Sequence, residues 1–404
     1  MDSKSVWIIN QYTGSPSHGM EYRHYYIAKA LIKKGYKVNI ISGSYSHLFT
    51  HQPLISSNFT FEQIEGINYC WVKIPRYNRS VSMGRIWNML MFMFKLIRFP
   101  FSQLEKPSLI IVSSPSLFPI VIAKRWSKKL GAQLIFEIRD IWPLTLQELG
   151  NLSSYHPLIL LMRWFEKYGY AKADKVASLL PNAKEYMIKS GMQSSKFVYV
   201  PNGIDLSEIN ANEKLDANIA SLLPPKNKFI VGFTGTLNIS NAIDTLIEVA
   251  VLLKKKTQIH FVIVGSGDYG KELQKMSLGL ENVTFIPAIR KAQIQSMLSC
   301  FDVLYVGVKK KEIYKWGVSL NKLFDYMYAQ KPIVYAVNSG NKPVEEANCG
   351  LAVDAENPQA SAQAILKLYN MPEAERIKMG KNGRAFVLQH HTYDQIAQKL
   401  VESL

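Results

Sequence analysis

The chain has 404 residues, 48% of them apolar and 20% charged, with a formal net charge of +17; this excludes a disordered chain and suits two folded domains of about 200 residues each. Its three cysteines, Cys70, Cys300 and Cys349, are too few and too scattered for a disulfide framework or a zinc site and fit a reducing, cytoplasmic setting. So basic a balance calls for an anionic partner: nucleic acid, phospholipid headgroups or a phosphorylated substrate.

Met1 to Lys4 lead directly into a strand at Val6–Asn10, without a cleavable apolar leader. Apolar positions at Tyr22, Tyr26, Ile27, Ala30 and Leu31 predict a helix over Gly19–Lys34, stopped by Gly35. Strands follow at Val38–Ser42, Leu109–Val112, Gln133–Glu137 and Val176–Leu180, with helical stretches between them. Uninterrupted apolar strands alternating with helices predict a parallel sheet covered on both faces.

Within this half, Arg85–Gln103 is apolar almost all round, with Arg85, Lys95 and Arg98 interspersed. From Arg76 to Lys106, six Lys/Arg stand against one acid, Glu105. No stretch reaches the ~18 uninterrupted apolar residues of a spanning helix. A helix of this composition is expected to lie among lipid headgroups, drawn by Arg79, Arg85, Lys95 and Arg98 and seated by Trp87, Phe92 and Phe94. Burial between the sheet and neighbouring helices is the alternative.

The turn Pro201-Asn202-Gly203-Ile204-Asp205 and the polar residues after it mark a boundary. The expected partition is an N-terminal domain over 1–200, a linker over 201–227, a C-terminal domain over 228–390, and a last helix over 391–404 that can pack back on the N-terminal domain. In the second half, strands are expected at Phe229–Thr234, His260–Val264, Val283–Pro287, Val303–Val306, Ile333–Ala336 and Gly350–Val353. Helices are expected at Ile243–Lys255, Lys291–Ser299, Asn321–Ala329 and Ala360–Tyr369. The fold class is α/β: two Rossmann-like, doubly wound parallel sheets facing across a cleft, with ligands at the C-terminal strand ends.

Six stretches carry a resemblance through their order and spacing. They are Ser17-His18-Gly19-Met20-Glu21-Tyr22-Arg23, Phe136-Glu137-Ile138-Arg139-Asp140-Ile141-Trp142-Pro143, Pro201-Asn202-Gly203-Ile204-Asp205, Gly232-Phe233-Thr234-Gly235-Thr236-Leu237, Val264-Gly265-Ser266-Gly267 and Val318-Ser319-Leu320-Asn321-Lys322-Leu323-Phe324-Asp325-Tyr326-Met327. Over nearly its whole length the chain resembles the family 4 retaining glycosyltransferases of the GT-B fold. The second and last stretches look most like the bacterial O-antigen and capsule subgroup that includes N-acetyl-fucosamine transferases.

The resemblance implies a donor site made by Gly19, Thr236, Asn241, Arg290, Ser319, Leu320, Asn321 and Asp325, and an acceptor site with His18, Glu21 and Arg23. Arg139 and Asp140 end a strand where the family places catalytic groups; arginine holds a phosphate or a developing charge and cannot act as a base. Ser319 is expected to cap a helix whose free N–H groups face a diphosphate, and Asp325 to accept the ribose hydroxyls. Two departures from the family stand out. Its first acid falls at Gly317, and its arginine and lysine, which neutralise the leaving diphosphate, fall at Thr236 and Asn241. Lys322 is the expected substitute, with Arg290 and Lys309 to Lys311 as alternatives.

Gly265-Ser266-Gly267 alone is a weak dinucleotide signal, and no acid follows where a nicotinamide ribose would need one. The chain has no Asp-x-Asp pair, so no metal and no cofactor is expected beyond a UDP-sugar as donor substrate. The resemblance implies transfer to an undecaprenyl-diphosphate-linked sugar on the inner face of the cytoplasmic membrane, with no nucleic acid partner. A sugar-nucleotide epimerase of the same fold, and a non-enzymatic basic protein binding membrane or nucleic acid, are the rival readings.

Overall fold

Apolar strand after apolar strand assembles into two sheets. The computed structural model describes residues 4–77 and 82–403, and the chain divides into one unit of residues 1–202 with 393–404 and a second of residues 203–392. The first unit runs β1 (Ser5–Ile9), α1 (Arg23–Lys33), β2 (Lys37–Gly43), β3 (Phe59–Ile64), β4 (Ile67–Val72), α2 (Met83–Leu96), β5 (Leu109–Ser113), α3 (Ile120–Leu130), β6 (Gln133–Ile138), α4 (Leu144–Glu148), α5 (Pro157–Lys172), β7 (Lys175–Ser178), α6 (Lys184–Lys189) and β8 (Phe197–Tyr199). Its sheet has the order β3-β4-β2-β1-β5-β6-β7-β8. Every pairing is parallel except the β3–β4 hairpin at one edge, which breaks the expected all-parallel pattern.

The second unit opens with α7 (Leu206–Asn210) and α8 (Ala217–Ala220), then runs β9 (Phe229–Thr234), α9 (Ile243–Leu252), β10 (Ile259–Val264), α10 (Gly270–Met276), β11 (Val283–Ile286), α11 (Ile294–Ser299), β12 (Val303–Gly307), α12 (Asn321–Tyr328), β13 (Ile333–Ala336), α13 (Pro343–Glu346), β14 (Gly350–Val353), α14 (Pro358–Asn370) and α15 (Glu373–His390). Its six strands are all parallel in the order β11-β10-β9-β12-β13-β14. The segment read as a linker is a packed part of this unit. The Glu213 N–H donates to the Ala292 carbonyl at 2.8 Å, and Gln293 Nε2 to the Lys214 carbonyl at 2.9 Å.

The last helix, α16 (Tyr393–Glu402), packs on α1 in the first unit. Strand side chains alternate between faces. Val6 and Ile8 of β1 join the core shared with α1 and α16. Trp7 points the other way, against Phe99, Phe101 and Trp126. That second face is covered by α3, and by α5, where Phe165 meets Phe118 at 4.9 Å.

Helix α1 starts at Arg23, four residues later than the apolar spacing suggests. Residues 14–21 form a loop whose backbone groups are committed elsewhere: Gly14 N–H donates to the Glu21 carbonyl at 3.0 Å, and Gly19 N–H to the Ser15 carbonyl at 2.8 Å. Helix α2 buries Asn88, Met89, Phe92 and Leu96 and leaves Met83, Trp87, Phe94 and Ile97 exposed. Phe92 is thus a core residue, which corrects its reading as a membrane-seating side chain. Arg79 lies outside the described residues.

Candidate active site

In the first unit, polar side chains gather near the C-terminal ends of β1, β5 and β6. Glu137 ends the apolar run of β6 and is fully buried. Its Oε1 accepts from Arg23 Nη2 at 2.9 Å and Nε at 3.1 Å; its Oε2 accepts from Ser113 Oγ at 2.7 Å and lies 2.7 Å from His24 Nε2. Asn10 Oδ1 accepts from the Tyr12 N–H, so the Asn10 amide nitrogen faces His24 Nδ1 as a donor at 3.0 Å. That network assigns His24 as a neutral ring carrying its proton on Nε2. Burial, the largest influence, pushes the His24 pKa below its ordinary value despite Glu137 beside it. Burial would raise Glu137, but Arg23 and the bonds from His24 and Ser113 hold the carboxyl well below its usual range.

Above this network sits a second pair. Arg139, one residue past β6, donates from Nη2 to Glu21 of the β1–α1 loop, and its backbone N–H donates to Ser114 Oγ at 2.9 Å. Burial acts to raise Glu21, yet the Arg139 guanidinium, with Arg23 further off, outweighs it and lowers the carboxyl. Arg139 Nε is buried without a hydrogen-bond partner among the described residues. Asp140, next in the chain, is exposed.

In the second unit, the α12 N-terminus approaches the loop after β9. The N-cap residue is Leu320, and no side chain caps the helix. Lys322, in the first turn, is half-buried: its Nζ lies 4.5 Å from the centre of the Phe233 ring and donates to Asn241 Oδ1 at 2.6 Å. Asn241 in turn donates from Nδ2 to the Thr236 carbonyl at 2.7 Å. Burial pulls the Lys322 ammonium down to about 7. One turn on, Asp325 opens on a pocket of about 20 Å³ shared with Glu208, Lys291 and Gln295, which holds about one water. Burial raises its carboxyl to about 6, against Lys291.

Comparison with known proteins agrees with both halves. Residues 17–208 match the Glycosyltransferase Family 4 model, and residues 216–386 match that of Glycosyl transferases group 1. The chain has the GT-B fold, and each half matches a glycosyltransferase model. Sucrose-phosphate synthase from Thermosynechococcus elongatus superposes with a TM-score of 0.74 over 99% of this chain and 98% of its own, at 16% identity. Anabaena Alr3699/HepE in complex with UDP and glucose superposes with a TM-score of 0.66 over 98% of each chain, at 17% identity. In sequence, the putative colanic acid biosynthesis glycosyl transferase WcaI of Escherichia coli (strain K12) is 26% identical over 211 residues, 51% of this chain. The chain spans about half the length of that curated relative, 52%.

In this chain several expected site residues are placed otherwise. Arg23 is buried, with its remaining donors on the Pro201 carbonyl (2.7 Å), Asn202 Oδ1 (3.0 Å) and the Val200 carbonyl (3.0 Å), so it ties down the chain after β8 and cannot reach an acceptor. His18 is also buried; its Nδ1 lies 2.8 Å from Ser15 Oγ and its ring packs on Trp71. Gly19 lies inside the same folded loop, bridged to Ser15 and Phe49, ahead of α1 instead of at its start. Ser319 precedes the N-cap and is not the capping residue. Arg290 is spent on Glu213 and Asp216 at the surface, and Lys309 on Asp244 at 2.6 Å and Glu356 at 3.0 Å.

Two glycine observations explain departures noted in the sequence. Gly317, where the family's first acid would fall, has φ of +102°, a backbone that strains a glutamate. A Cβ at Gly265 would lie 1.9 Å from the Gly235 carbonyl oxygen, so glycine is needed there for the loops after β9 and β10 to pack together. The Glu137 network was missed in the sequence; its one signal was an acid closing an otherwise apolar strand. Arg85 likewise packs 5.1 Å from the Tyr12 ring centre, and Lys95 donates to Asn58 Oδ1 at 2.6 Å, so of the membrane cations described only Arg98 stands exposed.

Proposed function

We propose that this chain moves an N-acetyl-hexosamine-type sugar, such as N-acetyl-L-fucosamine, from a UDP-sugar to an undecaprenyl-diphosphate-linked sugar, in the synthesis of O-antigen or capsule at the inner face of the cytoplasmic membrane. The observation that carries the transfer step is Lys322. Its ammonium is delivered to the side chain of Asn241, the position at which the family keeps a lysine. A cation there, beside the N-terminus of α12, offsets charge that grows on the diphosphate as the glycosidic bond breaks. In the proposed step the bond from the sugar carbon to the phosphate oxygen breaks on the face where the acceptor oxygen bonds, which retains configuration. The acceptor proton passes to the leaving phosphate, so no side chain is needed as a base.

Arg139, steadied by Glu21, supplies a fixed positive charge for an acceptor phosphate, with Asp140 beside it. Asp325 accepts from ribose hydroxyls at the mouth of its pocket, which is too small to enclose the ring. Asn321, Thr236 and Leu320 supply polar and backbone groups around the diphosphate. The reaction is metal-independent in this reading, because cations and backbone dipoles take the part of a divalent ion. Membrane attachment is peripheral: among the described residues no helix is long and apolar enough to cross a membrane. The exposed row of α2, Met83, Trp87, Phe94 and Ile97, supports a helix lying on the lipid surface. Turnover of UDP-sugars against lipid-linked acceptors, read by mass spectrometry, tests the proposal. The parent should consume one donor and lengthen the lipid-linked glycan; a Lys322→Gln variant with undiminished turnover overturns the mechanism.

A further inference from the structure

The exposed row on α2 has a counterpart on the same sheet face. Trp7 of β1 faces Phe99 and Phe101, which follow α2, and Trp126 of α3. On β6, Phe136 points to the same face, where a Cβ on Gly169 of α5 would fall 2.4 Å from its ring. Helices α2, α3 and α5 therefore form one layer, with α3 packed against α5. Helix α5 buries Ile159, Met162, Phe165 and Tyr170 toward the sheet. Outward it presents Leu160 (50% exposed), Leu161 (42%) and Trp164 (54%), the last stacked on Tyr168. Exposed apolar side chains at this spacing form a continuous stripe that stays open among the described residues.

Charge on the layer is one-sided. The three helices hold nine Lys and Arg and a single acid, Glu166. That acid is buried, bonded to Tyr170 and Tyr186, with its carboxyl raised by burial to about 7. On α3 the exposed residues are Arg125, Lys128 and Lys129. A cationic helix thus stands beside the apolar row of α5, on the layer that also carries the apolar row of α2.

We propose that α5 and α3 form a second membrane contact, in which Leu160, Leu161 and Trp164 enter the acyl boundary while Arg125, Lys128 and Lys129 meet anionic headgroups. An anionic bilayer is the occupant that matches both features at once, since it offers apolar depth and negative charge across a broad face. At 16 residues, α5 is too short to span and lies flat. Two apolar anchors on one layer fix the tilt of the first unit on the lipid, which a single helix leaves free to roll. The inference rests on the membrane reading of α2, and adds to it a surface that the charge and hydropathy of residues 76–106 do not contain.

The test is vesicle co-sedimentation of the full chain with phosphatidylethanolamine–phosphatidylglycerol vesicles and with phosphatidylcholine alone. The parent should bind the anionic vesicles, and a Leu160→Ser, Leu161→Ser, Trp164→Ser variant should lose about tenfold or more in partitioning. It should still unfold in a single cooperative transition above the assay temperature, because the three side chains are about half exposed and lie outside the core. In a Trp87→Phe background, brominated acyl chains should quench emission that a Trp164→Phe replacement removes. Parental binding by the α5 variant, alongside loss in a Trp87→Ser, Phe94→Ser variant, overturns this inference and leaves the α2 reading standing. Failure of the parent to bind anionic vesicles overturns both.

Discussion

If the Lys322 ammonium takes up the charge of the leaving diphosphate, UDP binding must be linked to a proton. In the free protein its pKa is drawn down to about 7 by burial, over the Phe233 ring and with the neutral Asn241 amide as its hydrogen-bond partner. A bound diphosphate supplies the missing opposite charge and restores the ordinary lysine value of about 10.4. The protonated form is therefore the one that binds, and affinity present below pH 7 is lost as pH rises. Between about pH 7 and about pH 9 the association constant should fall about fiftyfold, about 2.3 kcal/mol. At about pH 8, binding should take up about 0.9 protons per UDP, since the phosphate itself is already ionised there. Calorimetry in two buffers of different ionisation heat measures that uptake directly. Lys322→Arg, permanently charged, should bind with a flat profile between about pH 7 and about pH 9, and Lys322→Gln weakly across that range. Zero proton uptake by the parent at pH 8 would refute the assignment, because then no buried amine changes its charge on binding.

Arg23→Met should cost about 3–5 kcal/mol in thermal or urea unfolding, because it leaves the Glu137 carboxylate buried with a neutral histidine and the Ser113 hydroxyl as its remaining partners. In the parent, the lowered Glu137 pKa contributes stability above the unfolded carboxylate range that is lost as pH falls through the folded value. In Arg23→Met the sign should reverse, with stability rising from pH 7 toward pH 5. Asp325→Ala should weaken UDP binding by about 1.5–3 kcal/mol by calorimetry, and parental affinity would remove Asp325 from the ribose. In the parent, UDP affinity should also drop as pH falls through about 6, where Asp325 gains its proton. Turnover should persist in EDTA; activity lost to the chelator and restored by magnesium or manganese would contradict a metal-independent reaction.

Much of the fold is local and was legible in the residues. β9, β13 and β14 occupy the spans that their apolar runs mark out, and α12 begins at Asn321 as its spacing indicates. A buried parallel strand writes itself as a short apolar run, because both faces are covered. The edge hairpin of β3 and β4 was not legible: β3 has one face outward, so its apolar signal is diluted. Helix α15 was missed for a related reason, since only Gly380, Gly383 and Val387 of its 18 residues are buried.

The site divides along the same line. Sequence order alone put Arg139 and Asp140 at a strand end and Lys322 and Asp325 on one helix, because those placements follow from the chain's own course. What the side chains do there was decided by partners far away in sequence. Arg23 and Glu137 are 114 positions apart, and their pairing turns a candidate acceptor ligand into a buried strut. Lys322 and Asn241 are 81 apart, and their hydrogen bond brings a lysine to a loop that carries none of its own at Thr236 or Asn241. On α2 the composition gave an apolar helix but not its rotation; the sheet took Phe92 and left Trp87 and Phe94 outside. Periodicity fixes which residues share a face, whereas which face meets the core depends on packing against strands that only the folded chain brings together.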